Sequence, residues 1–296
     1  MNSIEIQPIV ATSEDPVYVW GNPVFPVEVF SRSIGHPQMA DREGILSLPP
    51  YIADPHLDRN ENGWWFGTGD PEFWKFQDKL LVPGGKVLDL GIGVGRTAFP
   101  FALRGMFVIG YENDPDQSSI LESVLNAYDF LPIELRNENI ATAELGESEY
   151  DTVLLGQTLT HQASIEDALL ILDKAIAALK PGGHLWLRTG GKESDAYMEF
   201  RESAMFGYDG VQQINENVFS VMGGHGGHGG HNGGYSLFFG QTELMVYLAQ
   251  RGISIVHSQV VPSEGQMNIM YGEDWRKDRG IWLGGMITLI GEKPTK

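Results

Sequence analysis

Residues 86–96 read Lys-Val-Leu-Asp-Leu-Gly-Ile-Gly-Val-Gly-Arg, an apolar run followed by alternating glycines. Val87, Leu88 and Leu90 form a short apolar run. Such a run is typical of a strand that is buried on both faces of a parallel sheet. Asp89 interrupts the run near its end. The sequence therefore predicts a buried strand with a carboxylate close to its carboxyl end.

Three glycines follow this strand at alternate positions, Gly91, Gly93 and Gly95. Glycine lets the backbone turn sharply, approach a ligand closely and pack the next helix against the strand. Residues 97–103 are predicted to form that helix. Pro100 is compatible with it, because proline is tolerated in the first turn of a helix. A strand, a glycine turn and a helix N-terminus together predict a site that faces an anion.

The residues around the turn narrow the choice of ligand. A phosphate loop needs Lys and Ser or Thr after its glycines, and neither follows Gly95. A dinucleotide fingerprint has its last glycine three positions after the second, where this chain has Arg96. Asp89 would repel a pyrophosphate and suits a cation. The amino-acid end of S-adenosylmethionine carries an ammonium and a carboxylate, which match an acid beside a helix N-terminus.

At these residues the chain resembles the class I S-adenosylmethionine-dependent methyltransferases. Their first motif is an acidic residue followed by alternating glycines, here Asp89, Gly91, Gly93 and Gly95. The resemblance implies that these four residues bind the cofactor. A structural turn between strand and helix, or another nucleotide site, shares the same local pattern.

A second acid follows at the expected distance. Residues 106–112 predict the second strand, which ends at Glu112, where dinucleotide-type folds place the carboxylate that accepts two ribose hydroxyls. The resemblance implies the same role for Glu112, with Asn113 beside it. The third strand leads to Asn139-Ile140, where the family often has Asp followed by an apolar residue that contacts adenine. An asparagine oxygen can still accept a hydrogen bond from the adenine amino group.

The fourth predicted strand, residues 150–155, leads into Gly-Gln-Thr-Leu-Thr-His at 156–161. This resembles the fourth motif of the family's small-molecule branch. The resemblance implies cofactor contact by Gln157 and a catalytic role for His161. Ligands of open α/β sheets lie outside the carboxyl ends of strands, so His161 is the best-placed general base. The alternative is a loop histidine that only hydrogen-bonds the structure.

The later motifs extend the resemblance. A helical period over 165–179 is stopped by Lys180-Pro-Gly-Gly183, and an apolar strand follows at 184–188. Residues 253–261 and 281–290 predict the sixth and seventh strands. The resemblance implies an α/β fold with a doubly wound, mostly parallel seven-stranded sheet and an antiparallel last strand.

We expect this Rossmann-like methyltransferase domain to span 81–296, with a cap or lid over 1–80 and an insertion over 190–240 after strand five. The cap contains Trp64 and Trp65. These indoles either anchor the segment to the core or form an aromatic wall over a sulfonium ligand.

The insertion contains His225, His228 and His231, separated by glycine pairs, and then Tyr235. The glycines predict a mobile loop with little intrinsic order. Two other interpretations stay open: the imidazoles bind a divalent metal, or single histidines bind the acceptor or act as bases. Tyr235 is a candidate substrate or lid residue.

Composition excludes several classes of function. The chain has 20 Lys and Arg against 39 Asp and Glu, a net charge of −19, which argues against nucleic-acid partners and anionic membranes. It has no cysteine among its 296 residues, so disulfides, thiolate zinc sites and cysteine nucleophiles are excluded. Without a secretory pattern or a membrane-length apolar run, a cytoplasmic protein is expected.

Other users of this fold are also disfavoured. Residues 156–159 lack the Asp/Asn-Pro-Pro-aromatic motif of amino-methylating DNA enzymes and the carboxylates that aminopropyl transferases use. The resemblance therefore implies in-line methyl transfer to an oxygen, nitrogen or carbon of a small molecule. Two alternatives stay open: an adenosyl-ligand or metal-binding protein without methyl transfer, and another reaction of a bound sulfonium. The sequence also leaves open a homodimer.

Overall fold

A computed structural model describes most of the chain beyond residue 76. The described residues are 17–19, 22–24, 77–82, 84–93, 95, 97–102, 105–127, 131–207, 210–221, 234–260 and 286–295. Most of the predicted cap, including Trp64 and Trp65, lies outside these ranges, as do His225, His228 and His231. Within the ranges, none of the helices has the length and apolar character that a membrane crossing requires.

The chain divides into two compact units. The first contains Met1–Glu138 with Lys277–Ile281, and the second contains Asn139–Arg276 with Trp282–Lys296. Each unit is described by itself. The predicted division into a cap over 1–80 and a domain over 81–296 stays a prediction.

The first unit contains a parallel three-stranded arrangement. Its elements are β1 (Val17–Val19), β2 (Asn22–Val24), α1 (Gln77–Leu80), β3 (Lys86–Leu90), α2 (Ala98–Ala102), β4 (Phe107–Glu112), α3 (Pro115–Ala127) and β5 (Ile133–Asn137). β4 lies between β3 and β5 and is parallel to both, while β1 and β2 form an antiparallel pair. The apolar side chains of β3 are completely buried, as a strand covered on both faces requires.

The second unit contains the remaining strands of the predicted fold. Its elements are β6 (Tyr150–Gly156), α4 (Ile165–Ala178), β7 (Leu179–Gly191), α5 (Asp195–Phe206), β8 (Val211–Gln213), β9 (Val218–Val221), β10 (Gly234–Phe239), α6 (Gln241–Gln250), β11 (Ser254–Val260) and β12 (Met286–Glu292). β6 is parallel to β7, β12 is antiparallel to β7, and β11 is antiparallel to β12. Together with β3, β4 and β5, these four strands confirm the α/β prediction of mostly parallel strands with an antiparallel last strand.

The Lys-Pro-Gly-Gly segment has a different structure from the one predicted. The helix before it ends at Ala178 as expected, but β7 already begins at Leu179 rather than at residue 184. The register against β6 shifts at this point, so the segment forms a bulge. A Cβ on Gly183 would lie 2.9 Å from the Lys180 carbonyl oxygen and 3.0 Å from that of Asp151. The bulge therefore requires glycine at this position.

The described part of the predicted insertion belongs to the second unit. β8, β9 and β10 form an antiparallel set, and β10 pairs in parallel with the last two residues of β7. Tyr197 of α5 packs edge-to-face on Phe219 and Phe238, with ring centroids 5.8 and 5.3 Å away. Short strands next to a glycine-rich segment give little periodic signal, which is why sequence patterns missed them. Tyr235 of β10 is 41% exposed.

Candidate functional site

The glycine turn after β3 has the backbone that its sequence predicts. The φ angles of Gly91, Gly93 and Gly95 are +79°, +57° and +91°. These values lie in the left-handed region, which residues with a Cβ rarely adopt. Glycine is therefore required at all three alternate positions.

The turn is fastened to the end of β4. The amides of Gly91 and Ile92 both donate to the Tyr111 carbonyl oxygen, at 2.9 and 3.0 Å. The Gly93 amide donates to Glu112 Oε2 at 2.9 Å, and the Gly95 amide donates to the Ile92 carbonyl. Because these four amides donate within the protein, they do not form the anion-facing site that the sequence predicts here.

Glu112 is a buried carboxylate with several hydrogen bonds. Its Oε1 accepts from the amides of Asn113 and Asp114, each at 2.9 Å, and its Oε2 accepts from Gly93. Burial raises the pKa of Glu112 above 4.5, although the three backbone hydrogen bonds oppose this shift. Each carboxylate oxygen has about two acceptor sites, so Oε2 can accept one further hydrogen bond. Asn113 is exposed beside it.

Asp89 is completely buried at the end of β3. Its Oδ2 accepts a 2.9 Å hydrogen bond from the hydroxyl of Thr97, the residue before α2. The carboxylate therefore joins the two ends of the glycine turn. Thr97 was not predicted, because a single hydroxyl at the start of a short helix is a common feature.

Gly110 is a second residue that the sequence analysis missed. It lies in the middle of β4, where a Cβ would come within 2.9 Å of the Cβ of Ile92 and still closer to its Cδ1. Ile92 belongs to the glycine turn and is 3% exposed. The absence of a side chain at Gly110 thus lets the turn pack directly on β4. A glycine inside a strand signals such a close approach, so the sequence did carry this signal.

The second unit begins with a turn at residues 139–143, which comes after β5 in the chain. Asn139 Oδ1 accepts a 2.9 Å hydrogen bond from the Ala141 amide, which is an Asx turn. Asn139 is exposed and Ile140 is half-buried. Because the Asn139 oxygen accepts one hydrogen bond, it retains an acceptor site for an amino group.

The side chain of Lys174, in α4, forms hydrogen bonds with the backbone of this turn. Its Nζ donates to the carbonyl oxygens of Ile140, Ala141 and Ala143, at 2.6, 3.1 and 2.5 Å. Burial lowers the pKa of Lys174 below its ordinary value. The sequence could not reveal this contact, since the partners lie more than thirty residues apart.

Gln157 follows β6 with a strained backbone. Its φ of +69° lies in the left-handed region, which is uncommon for a residue other than glycine. Its amide donates to the Arg188 carbonyl of β7 at 2.8 Å. Burial lowers the pKa of Arg188 to about 9. A strained residue at the end of a parallel strand is typical of a functional site.

His161 ends a short 3-10 helix, Thr158–His161, and is exposed. The preceding residue, Thr160, is buried and anchored to β7. Its Oγ1 accepts a 3.0 Å hydrogen bond from the Gly190 amide and lies 3.2 Å from the Thr189 hydroxyl. His161 therefore stands on a fixed backbone with its imidazole accessible to solvent.

The structure thus brings together one group of the predicted site residues. The residues that meet around the glycine turn in the first unit are Asp89, Gly91, Gly93, Gly95, Glu112 and Asn113. The remaining described candidates belong to the second unit: Asn139, Ile140, Gln157, His161 and Tyr235. In the described part of the chain, no group of three or more His, Asp or Glu side chains is arranged to hold a metal.

Comparisons with known proteins agree with this geometry. The family described as "Methyltransferase domain" matches residues 87–183, which include the glycine turn, Glu112 and the Lys-Pro-Gly-Gly bulge. The ubiquinone biosynthesis O-methyltransferase of Nitrobacter winogradskyi is 35% identical over 103 residues. That match spans 34% of this chain and 37% of the relative.

Solved structures share the fold. An S-adenosylmethionine-dependent methyltransferase from Methanosarcina mazei has a TM-score of 0.56 at 19% identity, covering 74% of this chain and 97% of that one. A protein from Pyrococcus horikoshii OT3 has a TM-score of 0.55 at 15% identity, covering 82% of this chain and 95% of that one. These likenesses show that the chain has the α/β fold of these two proteins, and its residues 87–183 match the methyltransferase domain family.

Proposed function

We propose that this protein binds S-adenosylmethionine and transfers its methyl group to a small molecule. The observation that carries the proposal is the glycine turn after β3, which is hydrogen-bonded to the buried carboxylate of Glu112. This turn lies inside the segment that matches the methyltransferase domain family. No nucleic-acid acceptor is proposed, because the net charge of −19 opposes a phosphate backbone.

Glu112 is proposed to accept the ribose hydroxyls of the cofactor. Its Oε2 keeps one acceptor site after the bond from Gly93, and the carboxylate is held at the end of β4 by three backbone amides. A hydrogen bond from a hydroxyl to a carboxylate is stronger than one between neutral groups. Asp89 is proposed to provide negative charge near the cofactor's ammonium while it holds Thr97.

We keep the sequence-based predictions for the second unit. Asn139 and Ile140 are proposed to contact adenine through the Asn139 oxygen and the Ile140 side chain. Gln157 is proposed to contact the cofactor, because its strained backbone follows the end of a parallel strand.

The chemistry requires little covalent assistance from the protein. The sulfonium is a good leaving group, so the protein aligns the acceptor with the methyl group and excludes water. A base is needed when the acceptor arrives protonated, and His161 is proposed for that role. Its exposed imidazole on an anchored turn can reach a proton without a change in the fold.

The acceptor is proposed to be a hydroxyl of a small molecule. The Nitrobacter relative is named an O-methyltransferase, which makes an oxygen acceptor the first class to test. The proposal does not extend to ubiquinone intermediates, because the match spans only 37% of that relative.

The test uses S-adenosylmethionine labelled with tritium in the methyl group. The purified protein is incubated with panels of hydroxyl, amine and acidic-carbon compounds, and small-molecule products are separated and counted. The proposal expects label in at least one product, with loss of transfer in Glu112→Gln. Binding of the cofactor without labelled product from any panel would instead support the alternative of an adenosyl-binding protein.

A further inference from the structure

We infer that Lys174 is a positioning residue that fixes the adenine-contacting turn of the cofactor site. The inference rests on the proposed function, since it assigns Asn139 and Ile140 to adenine. It adds a residue from α4 that is itself not expected to touch the cofactor. All three residues belong to the second unit.

Each N–H donor of the Lys174 ammonium has a backbone carbonyl as its acceptor. An ammonium has three N–H donors and no acceptor, and it meets three carbonyl oxygens, those of Ile140, Ala141 and Ala143. The distances of 2.6, 3.1 and 2.5 Å leave each donor matched to one carbonyl. Arginine could not replace it, because a planar fork does not converge on three carbonyls as an ammonium does.

These bonds determine the shape of the turn. Three carbonyl dipoles that point towards one place repel one another unless a positive charge lies between them. The Asx bond between Asn139 Oδ1 and the Ala141 amide fixes the same turn from the opposite end. With Lys174 and the Asx bond together, the Asn139 oxygen and the Ile140 side chain have fixed directions. Without the ammonium, the three carbonyls would repel one another and the turn would change shape. The Asn139 side chain would then lose its fixed direction.

The chain contains a matched control, Lys293. Its Nζ donates to the carbonyl oxygens of Ile176, Ala177 and Leu179, at 3.0, 3.5 and 2.7 Å. It therefore caps the end of α4 with the same kind of contact that Lys174 makes from within that helix. No candidate cofactor residue lies at this end. Lys293→Met should consequently lower stability without a change in ligand selectivity.

The experiment measures selectivity for the purine ring. The adenine amino group of S-adenosylhomocysteine can donate a hydrogen bond to the Asn139 oxygen. S-inosylhomocysteine has a carbonyl oxygen at that position, which cannot donate. Both ligands are titrated calorimetrically into the full-length wild type, Lys174→Met and Lys293→Met. Urea midpoints record the stability of each variant. We expect the preference for the adenosyl ligand to fall about tenfold in Lys174→Met, a free-energy change typical of one hydrogen bond, and to stay unchanged in Lys293→Met.

A chemical rescue separates position from stability. Because the natural chain has no cysteine, Lys174→Cys introduces a single thiol. Its thiolate displaces bromide from 2-bromoethylamine, and the thioether formed carries an ammonium at nearly the length of lysine. Alkylation with iodoacetamide displaces iodide and gives a neutral side chain. The inference expects the aminoethylated protein to regain wild-type selectivity and the neutral product to resemble Lys174→Met.

The outcomes distinguish this inference from the proposed function. A wild type that binds neither ligand overturns both. A wild type that prefers the adenosyl ligand, together with an equal preference in Lys174→Met, overturns the Lys174 assignment alone. If Lys174→Met does not fold, the two alkylated forms of Lys174→Cys decide, and equal selectivity in both would overturn the assignment.

Discussion

The Gly93 amide donates to Glu112 Oε2 over 2.9 Å, although the two residues are separated by 19 positions in the chain. One carboxylate thereby holds the glycine turn and keeps an acceptor site for a ligand hydroxyl. The proposed role of Glu112 would therefore couple the shape of the glycine turn to cofactor binding. A change at Glu112 should alter the turn and the binding of the cofactor at the same time.

Replacement of Glu112 by glutamine is predicted to weaken binding of S-adenosylhomocysteine by about tenfold or more. Glutamine has one acceptor oxygen and one donor group, so a donor must face either Gly93 or the amides of Asn113 and Asp114. Isothermal titration calorimetry measures the loss. Glu134→Gln on β5 is the matched control, since Glu134 is exposed and pairs with Arg136. Equal affinities in the two variants would remove Glu112 from the site.

Cofactor affinity is also predicted to depend on pH through Glu112. Burial raises the pKa of this carboxyl above 4.5. In the proposed complex, the ribose hydroxyls donate to the ionised form. Affinity should therefore stay constant at high pH and fall about tenfold per unit once the pH drops below the raised pKa. Calorimetric titrations across a pH series give this profile. In Glu112→Gln the same transition should be missing, and its persistence would assign it to another group.

The same shift makes a prediction about stability. A carboxyl with a raised pKa in the folded protein favours folding most below pH 4.5. That contribution is lost as the pH rises from 4.5 through the raised pKa, because the buried charged form costs free energy. The difference in urea unfolding free energy between the wild type and Glu112→Gln should therefore change in this window. No change across this window would contradict a raised pKa for the buried Glu112 carboxyl.

Gly110→Ala is predicted to destabilise the first unit by about 1–3 kcal/mol. The new Cβ would meet the Ile92 Cβ at 2.9 Å and push the glycine turn away from β4. Urea unfolding measures the cost, and calorimetry should show weaker cofactor binding as well. Ile92→Val removes the Cδ1 atom, so the double variant should regain part of the lost stability. A double variant less stable than Gly110→Ala would argue against this contact.

His161→Ala is predicted to slow methyl transfer by about 100-fold or more while cofactor affinity stays within about twofold. The imidazole is exposed on a turn that Thr160 anchors to Gly190, so its removal should leave the backbone unchanged. Turnover with a labelled methyl group and calorimetry give the two quantities. Gln162→Ala, at the adjacent position, serves as control. Turnover equal to the wild type would leave His161 without a catalytic role.

The sequence predicted those parts of the protein whose signal is local. Apolar runs predicted the buried strands. Gly91, Gly93 and Gly95 predicted a turn, and their φ values range from +57° to +91°. Contacts between distant segments left no such signal, as with Lys174 and the carbonyls of residues 140–143. The early start of β7 was missed because Pro181 and two glycines usually end regular structure.

Gly110 lies between these cases. Its position inside a strand did indicate a close approach, but only the fold identifies Ile92 as the approaching residue. Thr97 gave no signal of its bond to Asp89, since a hydroxyl eight positions later in the chain has many ordinary roles. Candidate site residues at strand ends could thus be proposed from the sequence, while the groups that orient them could not.

The proposed function depends on an adenosyl cofactor that binds beside the glycine turn with its ribose on Glu112. A crystal structure of the full chain with S-adenosylhomocysteine tests this most directly. We predict a ribose hydroxyl within about 3 Å of Glu112 Oε2, with the Gly93 amide bond retained. An adenosyl group bound away from Glu112 would contradict the account, and so would crystals that stay free of ligand at saturating concentration.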